Sequence, residues 1–160
     1  MVEIRGAGAD EWSTIRKVRL AALTDTPDAF WATHVEEIDK PEAWWRHFIN
    51  AGAWFLAWDG DRAVGIVAVL RDPELGEATR RLISMWVHPE ARGAGIGVEL
   101  VDAAVAWARV DGAREVQLEV TAGNDAAARL YERCGFSPTG VTTPLPRDPA
   151  LIESEYLLVL

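Results

Sequence analysis

The stretch Met85–Trp86–Val87–His88–Pro89–Glu90–Ala91–Arg92–Gly93–Ala94–Gly95–Ile96–Gly97 constrains this chain more than any other. An apolar run of strand character stops at His88–Pro89. One arginine and three alternating glycines follow, and an amphipathic pattern opens at Ile96. Glycine lets a backbone pass close to a ligand, and the first N–H groups of a helix lack intrahelical partners. The helix dipole adds partial positive charge at that end, and Arg92 adds a full charge that does not titrate. A strand, a glycine loop and a helix in this order form a cradle suited to a pyrophosphate.

Several folds use such a cradle. A nucleotide P-loop closes on Gly-Lys-Ser/Thr, whereas this loop closes on Gly97–Val98–Glu99, which removes that reading. A dinucleotide fingerprint requires G-x-G-x-x-G after the first strand of a βαβ unit. Counted from Gly93 the third position is Val98, and the loop lies past mid-chain. Glu115 and Glu119 do fall near the acidic position of that fingerprint, so it stays open on spacing alone, as does a glycine turn that binds nothing.

A second segment, Asn124–Asp125–Ala126–Ala127–Ala128–Arg129–Leu130–Tyr131–Glu132–Arg133–Cys134–Gly135–Phe136, lies one helix and one strand further on. Together, Arg92-x-x-Gly95-x-Gly97 and Asn-x-x-Ala-x-x-Leu-Tyr-Glu-x-x-Gly-Phe resemble the acetyl-coenzyme A loop and the following helix of the GNAT N-acetyltransferases. The resemblance is strong from about residue 82 to 136 and diffuse before it.

Periodicity and turn chemistry divide the rest. Val2–Arg5 reads as a strand, and Asp10 to about Leu23 as a helix broken by Thr24–Pro27. Pro41 is placed as the first residue of a second helix, to about Ile49. Ala53–Trp58 and Ala63–Leu70 form a hairpin about Asp59–Gly60–Asp61. Arg81–Val87 is a strand, Ile96–Ala108 a helix, Val116–Val120 a strand, and Asp125–Cys134 a helix stopped by Gly135. Phe136–Val141 and Ile152–Val159 finish the sheet as a hairpin with a proline-rich connection. This order predicts a single mixed α/β domain over 1–160. The resemblance implies a mostly antiparallel central sheet flanked by helices.

Composition limits the partners. The 160 residues suffice for one buried core. A net charge of −9 argues against a general nucleic-acid binder and mildly favours a cationic acceptor. No apolar run is long enough to span a bilayer, and Met1–Arg5 lacks the apolar region of a signal peptide, so no membrane partner is expected and a cytosolic setting fits. One cysteine, Cys134, and three histidines offer no disulfide and no metal-ligand spacing. Basic residues are nearly all arginine, only Lys17 and Lys40 being lysine, as expected from a GC-rich bacterial genome.

The resemblance implies acetyl-coenzyme A as acetyl donor and assigns its pyrophosphate to Arg92, Gly93, Ala94, Gly95, Ile96, Gly97 and Val98. It implies that the backbone of Met85, Trp86 and Val87 bonds the pantetheine arm like an added strand. It also implies contacts from Asn124, which is equally a helix cap by residue type, and from Ala127. Tyr131, two helical turns after Asn124, is implied as the general acid for the coenzyme A thiolate; a phenol with pKa of about 10 can protonate a thiolate at neutral pH.

An ammonium must also lose a proton before it attacks. On Val116–Thr121 the apolar residues Val116, Leu118 and Val120 alternate with Gln117, Glu119 and Thr121, and a polar row on an interior strand needs a partner or a task. Glu119 is therefore the first candidate base. Many GNAT relatives carry an acid on the strand leading into Val87 where this chain has Ser84. Glu36 and Glu37, expected to be solvated, and a relayed water are the fallbacks. Trp31, Trp44 and Trp45 fall in the acceptor region as packing or as an aromatic wall. The expected acceptor is a small amine, with a protein or peptide N-terminus as the alternative and a non-catalytic acyl-coenzyme A sensor as the rival of another class. Family members are often dimers, which allows a homodimer here.

Overall fold

A computed structural model describes residues 1–160. Seven strands form one sheet in the order β1-β2-β3-β4-β5-β7-β6. They are β1 (Val2–Ala7), β2 (Gly52–Asp59), β3 (Arg62–Arg71), β4 (Thr79–Val87), β5 (Glu115–Thr121), β6 (Ser137–Leu145) and β7 (Asp148–Val159). The helices are α1 (Trp12–Asp25), α2 (His34–Glu37), α3 (Glu42–Asn50), α4 (Ile96–Val110) and α5 (Asp125–Arg133). Every strand pair is antiparallel except β4 and β5, which run parallel because α4 makes the crossover between them. The expected mixed, mostly antiparallel sheet flanked by helices is the observed one.

Alternation along the central strands builds a core on each face. Val67 and Val69 of β3 join Leu100, Val101, Ala104 and Ala108 of α4, while Ile66 and Ala68 join Ile15, Trp45 and Trp54 on the side of α1 and α3. The helix after the glycine loop is thus clamped by its apolar stripe, which fixes where its N-terminus points.

Several boundaries shift for local reasons. A 3-10 turn at Ala9–Glu11 takes the first residues assigned to the first helix, and α1 runs on to Asp25 before Thr26, ahead of Pro27, leaves helical geometry. Pro41 stands one position earlier than expected, as the N-cap of α3 in extended conformation. A short helix, α2, stands where periodicity gives no signal; a capping box between Thr33 and Glu36 starts it. The proline-rich connection between the last strands is instead strand, and Pro138 and Pro144 lie on β6 at the sheet edge, where a missing N–H costs no ladder bond.

Candidate active site

The site originates in a break of the sheet. β4 and β5 pair only at Thr79–Glu115, Arg80–Val116 and Arg81–Gln117, after which they diverge. From Leu82 to Val87 the side of β4 that faces β5 has no strand beside it. Against β3, β4 carries an extra residue, because Ile66 pairs with Trp86 but Ala68 with Ile83. Ser84 in this bulge has φ of 60°, the one non-glycine residue with positive φ. Such a conformation costs on the order of 1–3 kcal/mol and needs support. The support is Arg19, whose Nη1 donates to Ser84 Oγ at 2.5 Å while its Nε and Nη2 bind Glu37 at 2.7 and 2.8 Å. Glu37 is therefore not the solvated glutamate expected, but a buried ion-pair partner that holds the bulge. Glu36 belongs to the capping box of α2. Removing one partner of a buried pair strands the other, so Glu37→Ala is expected to lower stability by about 3–5 kcal/mol, read from urea denaturation.

Where the strands part, a cavity of about 260 Å³ opens. It receives residues from both faces of the sheet, among them Met85, Glu119, Asn124, Ala127, Tyr131 and Glu153. Trp31, Phe30 and Phe48 line its other wall, whereas Trp45 is core and Trp44 packs edge-on against it at 4.9 Å, so of the three tryptophans only Trp31 reaches the cavity.

The glycine loop adjoins this cavity through Met85, a lining residue that packs against Gly97. Gly93 and Gly95 take φ of 83° and 82°, and Gly95 caps α4 with no side-chain hydrogen bond, leaving the N–H groups of Ile96, Gly97 and Val98 available. A Cβ at Gly97 would come within 3.2 Å of Leu130 and 3.3 Å of Met85, so glycine there allows α4 to approach the β4 bulge. Ile96 itself is core. Arg92 lies exposed beside the loop, its Nε on the Val87 carbonyl at 2.9 Å and its Nη2 on Asp25 at 2.6 Å. The Trp86 indole, at 3.0 Å, and then Arg92 hold the Asp25 carboxyl below its ordinary pKa. The Trp86 side chain thus serves the fold, which leaves its backbone for the role expected of it.

Asn124 caps α5 by accepting from the Ala127 N–H at 3.3 Å, and both residues line the cavity. Tyr131 is buried against Phe136, ring centroids 5.8 Å apart, and burial pushes its phenol pKa well above the ordinary value. It keeps its proton at physiological pH, and burial makes it a weaker acid than a free phenol until a ligand changes its surroundings.

Glu119 is in the cavity wall but is not a free carboxylate. Arg81 donates to it from Nη1 and the Gln117 amide donates at 2.9 Å. Arg81 binds Asp72 at 2.7 Å as well and lies over the Trp31 ring, 5.3 Å from its centroid. The acidic position of a dinucleotide site is likewise unfilled, since Glu115 accepts from Thr79 at 2.7 Å.

Three residues of the site were not singled out from the sequence. Arg19 stands in the α1 sequence with no local pattern to mark it off from Arg16. Arg81 read only as the first residue of a strand. Glu153 lies opposite Thr121 in the register of β5 and β7, is buried, and accepts from the Trp31 indole at 2.9 and 3.1 Å. The alternation Glu153–Ser154–Glu155–Tyr156 in an otherwise apolar strand was the available signal.

A splayed parallel strand pair, a bulged β4 and a helix start with free N–H groups after a glycine loop set an open strand edge beside an anion cradle. The family model described as Acetyltransferase (GNAT) family matches residues 18–136, and the chain belongs to that family. It is 35% identical over 134 residues to a mycothiol acetyltransferase of Geodermatophilus obscurus, covering 82% of this chain and 42% of that protein. It is 36% identical over 97 residues to N-alpha-acetyltransferase 30 of Schizosaccharomyces pombe, covering 58% of this chain and 63% of that one. The chain thus spans less than two thirds of the length of either. Among solved structures, a GNAT-family acetyltransferase of Streptococcus pneumoniae superposes with a TM-score of 0.84 at 20% identity, covering 100% and 99% of the two chains. Salmonella typhimurium yncA, solved with its cofactor acetyl-CoA, gives 0.80 at 22% identity, covering 100% and 94%. These likenesses establish the fold. No helix is long and apolar enough to cross a membrane.

Proposed function

We propose that the chain is an acetyl-coenzyme A-dependent N-acetyltransferase whose acceptor is a small primary amine. The observation that carries this reading is the opened edge of β4, which runs from the uncapped start of α4 to a cavity containing a buried tyrosine. The residues present fit the donor. The N–H groups of Ile96, Gly97 and Val98, with Gly93, Ala94 and Gly95, would hold its pyrophosphate, and Arg92 would join them by exchanging Asp25 for a phosphate. The edge of β4 at Met85, Trp86 and Val87 that faces away from β3 would bond the pantetheine amides as a neighbouring strand does, the Val87 carbonyl once Arg92 releases it. Asn124 and Ala127 would border the arm.

The donor supplies a thioester carbonyl. The amine nitrogen forms a bond to that carbon and the carbon–sulfur bond breaks. Tyr131 gives its proton to the departing thiolate and is reprotonated by the second N–H proton of the attacking nitrogen, so only the first ammonium proton needs a base. Direct attack within a ternary complex requires no covalent enzyme intermediate, and Cys134, at the end of α5, is not among the cavity residues.

The aromatic wall of the cavity favours a small amine over a peptide N-terminus, and the resemblance to a mycothiol acetyltransferase points the same way. Turnover is tested by following coenzyme A release with a panel of alkylamines, arylalkylamines and short peptides. Faster release with small amines supports the reading. Release with peptides alone would replace it with N-terminal acetylation. Binding of acetyl-coenzyme A without release from any acceptor would make the chain a sensor.

A further inference from the structure

We propose that Glu153 binds the acceptor's ammonium group and takes its first proton, and that the acceptor is a primary amine on an apolar stem. This rests on the acetyltransferase reading above. Four carboxylates stand in or directly behind the cavity wall, and two arginines answer them. Arg19 is taken by Glu37, and Arg81 by Asp72 and Glu119. Glu153 alone forms no ion pair, its one hydrogen-bond donor being the neutral Trp31 indole while Arg81 is bound to Asp72 and Glu119. A buried carboxylate without a cation is costly, and a bound ammonium would relieve that cost.

The surroundings suit the task. The groups that face Glu153 are Glu119 from β5, Arg81 from β4 with Asp72 behind it, the Arg19–Glu37 pair from the side of α1, and Tyr131 from α5. Burial, opposed by the indole bond and by the more distant charge of Arg81 and reinforced by the negative charge of Glu119, raises the Glu153 pKa above that of an ordinary glutamate. A more basic carboxylate is a better proton acceptor. Phe30, Trp31 and Phe48 then form the wall against which an apolar stem packs. Thr121 Oγ1 on the Asp28 carbonyl at 2.8 Å and Arg147 on the carbonyls of Pro27 and Phe30 fasten the segment that carries this wall. Glu119, tied to Arg81, is a positioning residue that holds the guanidinium over Trp31.

The proton balance closes. The acceptor's first N–H proton passes to Glu153 Oε and then to solvent, and the remaining transfers are those of Tyr131. The test is the pH profile of kcat/KM for 2-phenylethylamine and n-butylamine in the wild type and in Glu153→Gln. The wild type loses activity as pH falls and Glu153 gains a proton. Glu153→Gln is expected to be about 100-fold slower at pH 7. Its rate should then climb about tenfold per pH unit as free amine accumulates, with acetyl-coenzyme A affinity unchanged. An unaltered profile in Glu153→Gln overturns the proposal. Trp31→Phe is the second variant: losing the indole bond to the charged carboxylate moves the acidic limb to higher pH, and an unmoved limb overturns the proposal even if Glu153→Gln fails to fold. Absence of wild-type turnover on every amine overturns the acetyltransferase reading together with this one, whereas turnover with unaltered profiles overturns this one alone.

Discussion

Gly95→Trp is expected to weaken acetyl-coenzyme A binding at least 100-fold while the protein stays folded. Gly95 adopts φ of 82°, a left-handed conformation that costs a side-chain-bearing residue about 1–2 kcal/mol. That strain alone does not unfold a domain. A Cβ at Gly95 would meet nothing within 4 Å, so the indole projects into open space rather than into the core. Gly95 is the residue next to the free N–H groups of α4, where the pyrophosphate is proposed to sit, so the indole would compete for that space. Calorimetric titration with acetyl-coenzyme A, beside circular dichroism of both proteins, separates the effects. Gly95→Ala carries the strain without the bulk and should lose far less affinity. Unchanged binding in Gly95→Trp would show that the loop is a turn and not a cradle.

Tyr131→Phe is expected to lower kcat by about 10²–10³-fold at pH 7, with donor affinity little changed. The phenyl ring keeps the edge-on contact with Phe136, so packing survives. Burial and the nearby Cys134, not any hydrogen bond, raise the phenol pKa, so removing the hydroxyl leaves no protein group unpaired. The loss therefore falls on the chemical step and is read in single-turnover thiol release. A variant as fast as wild type would remove Tyr131 from the proton path and leave the thiolate to solvent.

Legibility of the fold followed the range of the interactions. The glycine loop, the α4 stripe and the Asn124–Phe136 segment are local patterns, and the structure gives each of them the geometry its residues call for: φ above 80° at Gly93 and Gly95, a buried α4 face, and an Asn124 cap. What was not legible depends on pairing across the chain. The bulge at Ser84 is held by Arg19, 65 positions earlier, and Glu37 is buried only because Arg19 meets it. Both glutamates of α2 therefore looked like surface residues.

The carboxylates of the cavity illustrate the same limit. Alternation on β5 pointed to Glu119 as a polar residue needing a task, but its partner Arg81 comes from the neighbouring strand beyond α4. Glu153 escaped notice because its burial depends on register with β5 and on an indole 122 positions away. Trp31 was distinguishable from Trp44 and Trp45 only once the segment before α2 had a place against β7. The donor half of the site is thus a local motif, and the acceptor half is assembled from distant strands and loops.

The most direct test of the account is to incubate the protein with acetyl-coenzyme A and 2-phenylethylamine, following free thiol and identifying the product by mass spectrometry. The account predicts one equivalent of coenzyme A released per equivalent of N-acetylated amine, at a rate that Tyr131→Phe reduces by at least two orders of magnitude. Thiol release without acetylated amine, or acetylation equally fast in Tyr131→Phe, would contradict it.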